Sequence, residues 1–171
     1  MKTVLRLSLV CVLCMFVGCN KQPQQVRHLH EKQEPDSAMM EQLRFNLHMA
    51  DAADKLCQQA VDSDTLTYAL DEFGFWYAKM LRTSGDTIKT GQSLTLHMII
   101  SELNGPTIAD VEDVFTVGTG DLPISINRSL TMMSMGEQMS IIAPWYAAYG
   151  VEGTKLVKPY TNLRIIINAK Q

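Results

Sequence analysis

The stretch Leu130–Gly150, LTMMSMGEQMSIIAPWYAAYG, constrains this chain more than any other. Leu130, Met132, Met133 and Met135 fit a short packed helix that runs into a Gly136-Glu137 turn. Met139, Ile141 and Ala143 then alternate with Gln138, Ser140 and Ile142, the two-residue period of a half-buried strand. Pro144 follows, then an aromatic cluster of Trp145, Tyr146 and Tyr149 that ends at Gly150. A buried strand that delivers aromatics to a glycine-bounded loop makes a wall for a small apolar pocket.

The flanking segments supply the rest of a domain. Phe73-Gly74-Phe75-Trp76-Tyr77 opens a β region, because aromatics favour strands. Leu94, Leu96, Met98 and Ile100 alternate with Thr95, His97, Ile99 and Ser101, a strand with one core face. His97 falls on the other face and reads as a surface or edge residue rather than a ligand. Asn104-Gly105-Pro106 is a turn. Val111–Thr119 returns as a short strand around Phe115 and Val117, Leu122–Met133 gives one helix that crosses the sheet, and Leu163, Ile165 and Ile167 form a closing strand. One helix on a curved antiparallel sheet is an α+β plan.

The N-terminal part is organised differently. Lys2 and Arg6 precede an apolar run, Leu7–Val17, too short to span a bilayer as a stable helix. Phe16-Val17-Gly18-Cys19 resembles the lipobox of bacterial lipoproteins, with Phe16 where leucine is usual. That resemblance implies a signal peptide over 1–18, a lipid on Cys19 and a chain held on a bacterial membrane, the outer membrane facing the periplasm. Cys11 and Cys14 would leave with the signal peptide, so Cys57 would be the one free thiol, read as a helix-packing residue. Residues 19–36, rich in glutamine with Pro23 and Pro35, form a tether with almost nothing to bury. His28-Leu29-His30 sits in that tether without further ligands and does not make a metal site.

Ser37–Val61 reads as a helix capped by Asp36 or Ser37. Met40, Leu43, Leu47, Ala50, Ala53, Cys57 and Ala60 share one face at spacings of three and four. That face either packs on the domain or serves as a partner-binding or dimerising arm. A second short helix is expected over Asp64–Glu72, completing an N-terminal helical segment over 37–72.

Composition narrows the function. Hydrophobic residues at 46% and charged residues at 19% describe a packed protein. A net charge of −3 gives no reason to invoke nucleic acid. There is no glycine-rich phosphate loop, no G-x-S-x-G and no metal-spaced Cys/His set, so neither cofactor nor metal is expected.

The order helix, Met133-Ser134-Met135-Gly136-Glu137 turn, strand, Pro144, Ala148-Tyr149-Gly150, then Pro159 and the strand Asn162–Ala169 resembles the FKBP-type peptidyl-prolyl isomerases. The Phe73–Tyr77 opening and Asp86–Gly91 narrow the likeness to FKBP-type lipoproteins associated with gliding motility, which also carry a signal peptide and a helical N-terminal segment. The resemblance implies an FKBP-like domain over 73–171. It also implies a membrane-tethered isomerase acting on proline-containing polypeptides of the envelope. The alternative is a degenerate, non-catalytic peptide-binding or assembly lipoprotein.

Residue by residue, the resemblance implies that Tyr149 is the pocket tyrosine whose hydroxyl meets the ligand carbonyl. Leu122 and Pro123 stand where the family has a Val-Ile pair that offers a backbone N–H, and Pro123 has none to give. Ile126 replaces the tryptophan floor, Met98 a pocket tyrosine, and Ile165 a closing-strand phenylalanine. Ile108 and Ala109 replace a Phe-Asp pair, with Asp110 one residue on. Phe115 keeps a strand aromatic, Val157 keeps an apolar residue in the overhanging loop, and Trp145 belongs to the aromatic wall. The pocket therefore stays apolar while losing most of its aromatics.

Overall fold

The computed structural model describes residues 36–170. The expected signal peptide, Cys19, His28-Leu29-His30 and the expected tether up to residue 35 lie outside them. The elements in order are α1 (Ser37–Asp62), β1 (Ala69–Leu70), β2 (Trp76–Leu81), β3 (Ser93–Glu102), β4 (Thr107–Thr116), α2 (Ile124–Thr131), β5 (Gln138–Ala143), a 3-10 turn at Trp145–Ala147, and β6 (Leu163–Lys170). The strands form one antiparallel sheet in the order β1-β2-β5-β6-β3-β4. This is the α+β plan, a curved sheet on one short helix with a helical N-terminal extension.

Register explains which side chains meet. Met98 lies opposite both Val111 and Ile167, and Met139 lies opposite Ile167. Directly paired residues share a face. Leu96, Met98 and Ile100 therefore line up with Ile165, Ile167, Ala169, Met139 and Ile141 on one side of the sheet. Helix α2 covers that side with Ile126 and Leu130, both fully buried. Pro123 stands at the start of α2, where its fixed φ suits a helix entry and its missing N–H is no loss. Asn127 locks the same end by donating to the Leu122 carbonyl at 2.7 Å and accepting from the Gly118 N–H at 3.0 Å.

The opposite side of the sheet belongs to α1. Cys57 and Ala60 pack against Trp76 and Ile142. This corrects the half-buried reading of β5: Met139, Ser140, Ile141, Ile142 and Ala143 are all buried. The alternation reports one covered face, and the helix closes the other. Ser140 survives there because its hydroxyl shares a 2.8 Å hydrogen bond with Tyr68, which also accepts from Arg164 at 3.0 Å.

Other boundaries shift for local reasons. Asp64–Glu72 is not a helix. The Asp64 carboxylate accepts from the Leu66 N–H at 3.0 Å, and Asp71 accepts from the Phe73 N–H at 3.1 Å. These side-chain bonds compete with helical ones, and the two-residue β1 lies between them. The returning strand is longer and earlier than Val111–Thr119, and the crossing helix is shorter than Leu122–Met133. Helix α1 matches its expected span within a residue, but Leu43 and Leu47 are about half exposed while Ala53, Cys57 and Ala60 are buried. Its C-terminal half is the part that docks on the sheet.

Candidate functional site

Tyr149 follows β5 and the 3-10 turn, in a segment that Gly150 closes with φ of 73°. Its ring is partly buried and packs against the core cluster that α2 and the sheet share. Among the described residues, nothing hydrogen-bonds its hydroxyl. Tyr68, Tyr146 and Tyr160, by contrast, each have a hydroxyl partner. Burial pushes the Tyr149 hydroxyl above the ordinary phenol range, so it stays protonated at neutral pH and can donate. A tyrosine hydroxyl at an apolar edge without a partner is ready to donate to a ligand carbonyl.

The residues expected to form a pocket with Tyr149 divide into two groups. Met98, Ile126 and Ile165 are buried members of the core cluster against which Tyr149 packs. Leu122 and Val157 are buried as well. Ile108 and Phe115 remain partly exposed while packing on the same core cluster, as Tyr149 does. Pro123 is half-buried at the start of α2.

Two expected members lie apart. Asp110 is exposed, pairs in register with Ile99, and bonds His97 at 2.7 Å on the sheet face opposite Met98. Strand alternation puts a residue next to the core-facing Ala109 on the other side. Trp145 is buried against α1: its indole N–H donates to the Met49 carbonyl at 3.3 Å. The tryptophan serves the helix junction, four positions before a tyrosine that serves the core face.

Two residues escaped the sequence reading. Tyr77 is partly buried against the same core cluster, opposite Ile141, with its ring centroid 6.4 Å from Phe75. The alternation Phe75, Trp76, Tyr77 carried that signal. Tyr160 is the second. It contacts both α1 and Trp145, which no local pattern announces.

A cavity of about 460 Å³ lies elsewhere, between α1 and the β1–β2 end of the sheet. Asp54, Gln58, Leu70, Trp76 and Tyr146 line it, and Tyr149 does not. Tyr146 donates to Asp54, and burial together with that carboxylate raises its pKa. Among the described residues no group of His, Cys, Asp and Glu is arranged to hold a metal ion. No described helix is long and apolar enough to cross a membrane.

One short helix against this sheet order is the FKBP fold, the architecture of a class of peptidyl-prolyl cis-trans isomerases. A peptidyl-prolyl cis-trans isomerase from Pseudomonas syringae pv. tomato matches with a TM-score of 0.61 at 16% identity, over 72% of this chain and 92% of that one. FkpA from Escherichia coli matches with a TM-score of 0.62 at 12% identity, over 81% of this chain and 73% of its own. AtFKBP13 matches with a TM-score of 0.54 at 17% identity, over 61% of this chain and 97% of its own. No protein-family model and no curated protein matches the sequence. At these identities the likeness establishes the fold.

Proposed function

We propose that this chain is a peptidyl-prolyl cis-trans isomerase of the FKBP type, tethered to a bacterial membrane through a lipid on Cys19 and acting on proline-containing segments of envelope proteins. The observation that carries the reading is Tyr149: a protonated hydroxyl with no partner among the described residues, at the edge of an apolar core face, in this fold. The barrier to Xaa-Pro rotation, about 18–20 kcal/mol, is mostly lost amide resonance. A catalyst therefore needs no nucleophile. It must hold the twisted imide better than either planar form. Apolar walls at Ile108, Phe115 and Pro123 suit a carbonyl that has shed charge, and Tyr149 supplies a donor to it. Phe73–Tyr77 and Asp86–Gly91 support a further likeness to the gliding-motility-associated lipoproteins. The lipobox over Phe16–Cys19 supports the tether.

Cis-to-trans relaxation of a short Xaa-Pro peptide tests this. Folded protein at micromolar concentration should accelerate it. A rate equal to that of buffer removes the catalytic reading.

A second reading rests on the aliphatic replacements. Met98, Ile126 and Ile165 are all buried aliphatic side chains, so they offer a proline ring no aromatic face to stack on. A non-catalytic peptide-binding subunit needs no such face. It predicts capture of proline-containing peptides without acceleration.

A further inference from the structure

Tyr160 is the one described residue other than glycine with a positive φ, at 56°. A tyrosine is disfavoured there, and such a conformation persists only where its surroundings over-determine it. The surroundings are α1 and the segment that carries Tyr149. The Tyr160 hydroxyl donates to the Asn46 side chain at 2.8 Å. Its ring stands edge-on to Phe45 with centroids 5.6 Å apart, and to Trp145 at 4.8 Å. Trp145 itself donates to the Met49 carbonyl. Phe45, Asn46 and Met49 all belong to α1.

Backbone bonds close the rest of a ring around Tyr149. The Tyr160 N–H donates to the Gly150 carbonyl at 3.2 Å, and the Gly150 N–H donates to the Trp145 carbonyl at 2.8 Å. The Gly153 N–H donates to the carbonyl of Tyr149 itself at 3.2 Å. The two corners of this ring, Trp145 and Tyr160, are the residues fastened to α1. A tyrosine whose hydroxyl must meet a substrate carbonyl needs a backbone held to a fraction of an ångström.

We propose that Tyr160 is a positioning residue for Tyr149 and that α1, through Phe45, Asn46 and Met49, is its support. The N-terminal helix then sets the efficiency of the site from the far side of the sheet. This rests on the isomerase reading given above.

The test uses the full chain in detergent with Tyr160→Asn, Tyr160→Phe and Phe45→Ala. Asparagine tolerates a left-handed φ, so Tyr160→Asn keeps the turn while deleting the clamp. Three readouts are taken: kcat and KM for an Xaa-Pro peptide, amide exchange at Gly150 and Gly153, and the ring resonances of Tyr149. For Tyr160→Asn, exchange at Gly150 and Gly153 should rise about tenfold while Ile165 and Ile167 amides stay protected. The Tyr149 ring signals should move. The kcat/KM should fall about tenfold, as for one lost hydrogen bond at the site. Tyr160→Phe and Phe45→Ala should give smaller changes of the same kind. A loosened loop with kcat, KM and Tyr149 signals unchanged overturns the proposal, because a merely structural role predicts that result. Unchanged exchange at Gly150 and Gly153 overturns it too. If the parent protein shows no acceleration, the isomerase reading fails, and the exchange and ring signals still decide whether Tyr160 positions Tyr149.

Discussion

Glu137 accepts a hydrogen bond from Lys79 at 2.8 Å, joining the start of β5 to β2. The carboxylate is buried, and burial alone would raise its pKa; the Lys79 ammonium and the Ser134 N–H outweigh burial and lower it. A lowered folded value means the pair stabilises the protein above the ordinary glutamate range and that this contribution is lost as pH falls. Urea unfolding should therefore lose stability as pH drops from about 5 to about 3. Glu137→Gln should flatten that slope and weaken the fold at pH 7 by about 3 kcal/mol, the low end for breaking a buried pair, since Lys79 reaches solvent. An identical slope in the variant would assign the acid sensitivity to other carboxylates.

Tyr149→Phe separates site from scaffold. The hydroxyl has no partner among the described residues, so its removal costs the fold little. It should lower kcat/KM by up to about tenfold, the worth of one hydrogen bond, with the melting temperature unchanged. Relaxation kinetics and calorimetry on the same sample check both halves. A rate equal to the parent's takes Tyr149 out of the site.

Ser125 and Ser129 are fully buried on α2, and among the described residues neither hydroxyl has a hydrogen-bond partner. Burying a hydroxyl without a bond is unfavourable, and alanine is the better helix former. Ser125→Ala and Ser129→Ala should each leave stability unchanged or raise it by about 0.5–1.5 kcal/mol in urea titration. A loss above that size would mean the hydroxyls are satisfied after all.

Cys57 is buried on the sheet-facing side of α1, and burial, with the negative charge of Asp54, pushes its thiol up to about 12. The thiolate is the reactive form. Iodoacetamide at pH 8 should label Cys57 in denaturant and leave it untouched in the native protein, read by peptide mapping. A raised folded value also means that the Cys57 contribution to stability holds below the ordinary thiol range and is lost as pH rises toward 12. Native labelling at the denatured rate would show that α1 leaves the sheet readily.

Much of the fold was legible because short-range patterns carry it. Leu94–Ile100 and Leu163–Ile167 alternate cleanly, and each became a strand with one core face. Gly136 takes a positive φ in the turn expected of it. Where long-range packing decides, the sequence was silent. Nothing in Gln138–Ala143 says that a helix some eighty positions earlier covers its second face. Trp145 and Tyr149 read as one aromatic wall, yet they serve different elements. Asp110 stood beside the right position and one residue off the right face. Asp64 and Asp71 defeated the second helix through bonds to backbone two residues on.

The seat of α1 against β5 has a consequence for how the chain is made. Cys57 and Ala60 are synthesised more than eighty residues before Ile142, the residue they cover. At about 5–20 residues per second, that half of the helix waits several seconds for its berth. The side chains it must leave wet meanwhile are Ala53, Cys57 and Ala60, among the smallest apolar ones available. A leucine at any of them would find no room against the finished sheet, and would give every passing nascent chain something to stick to first.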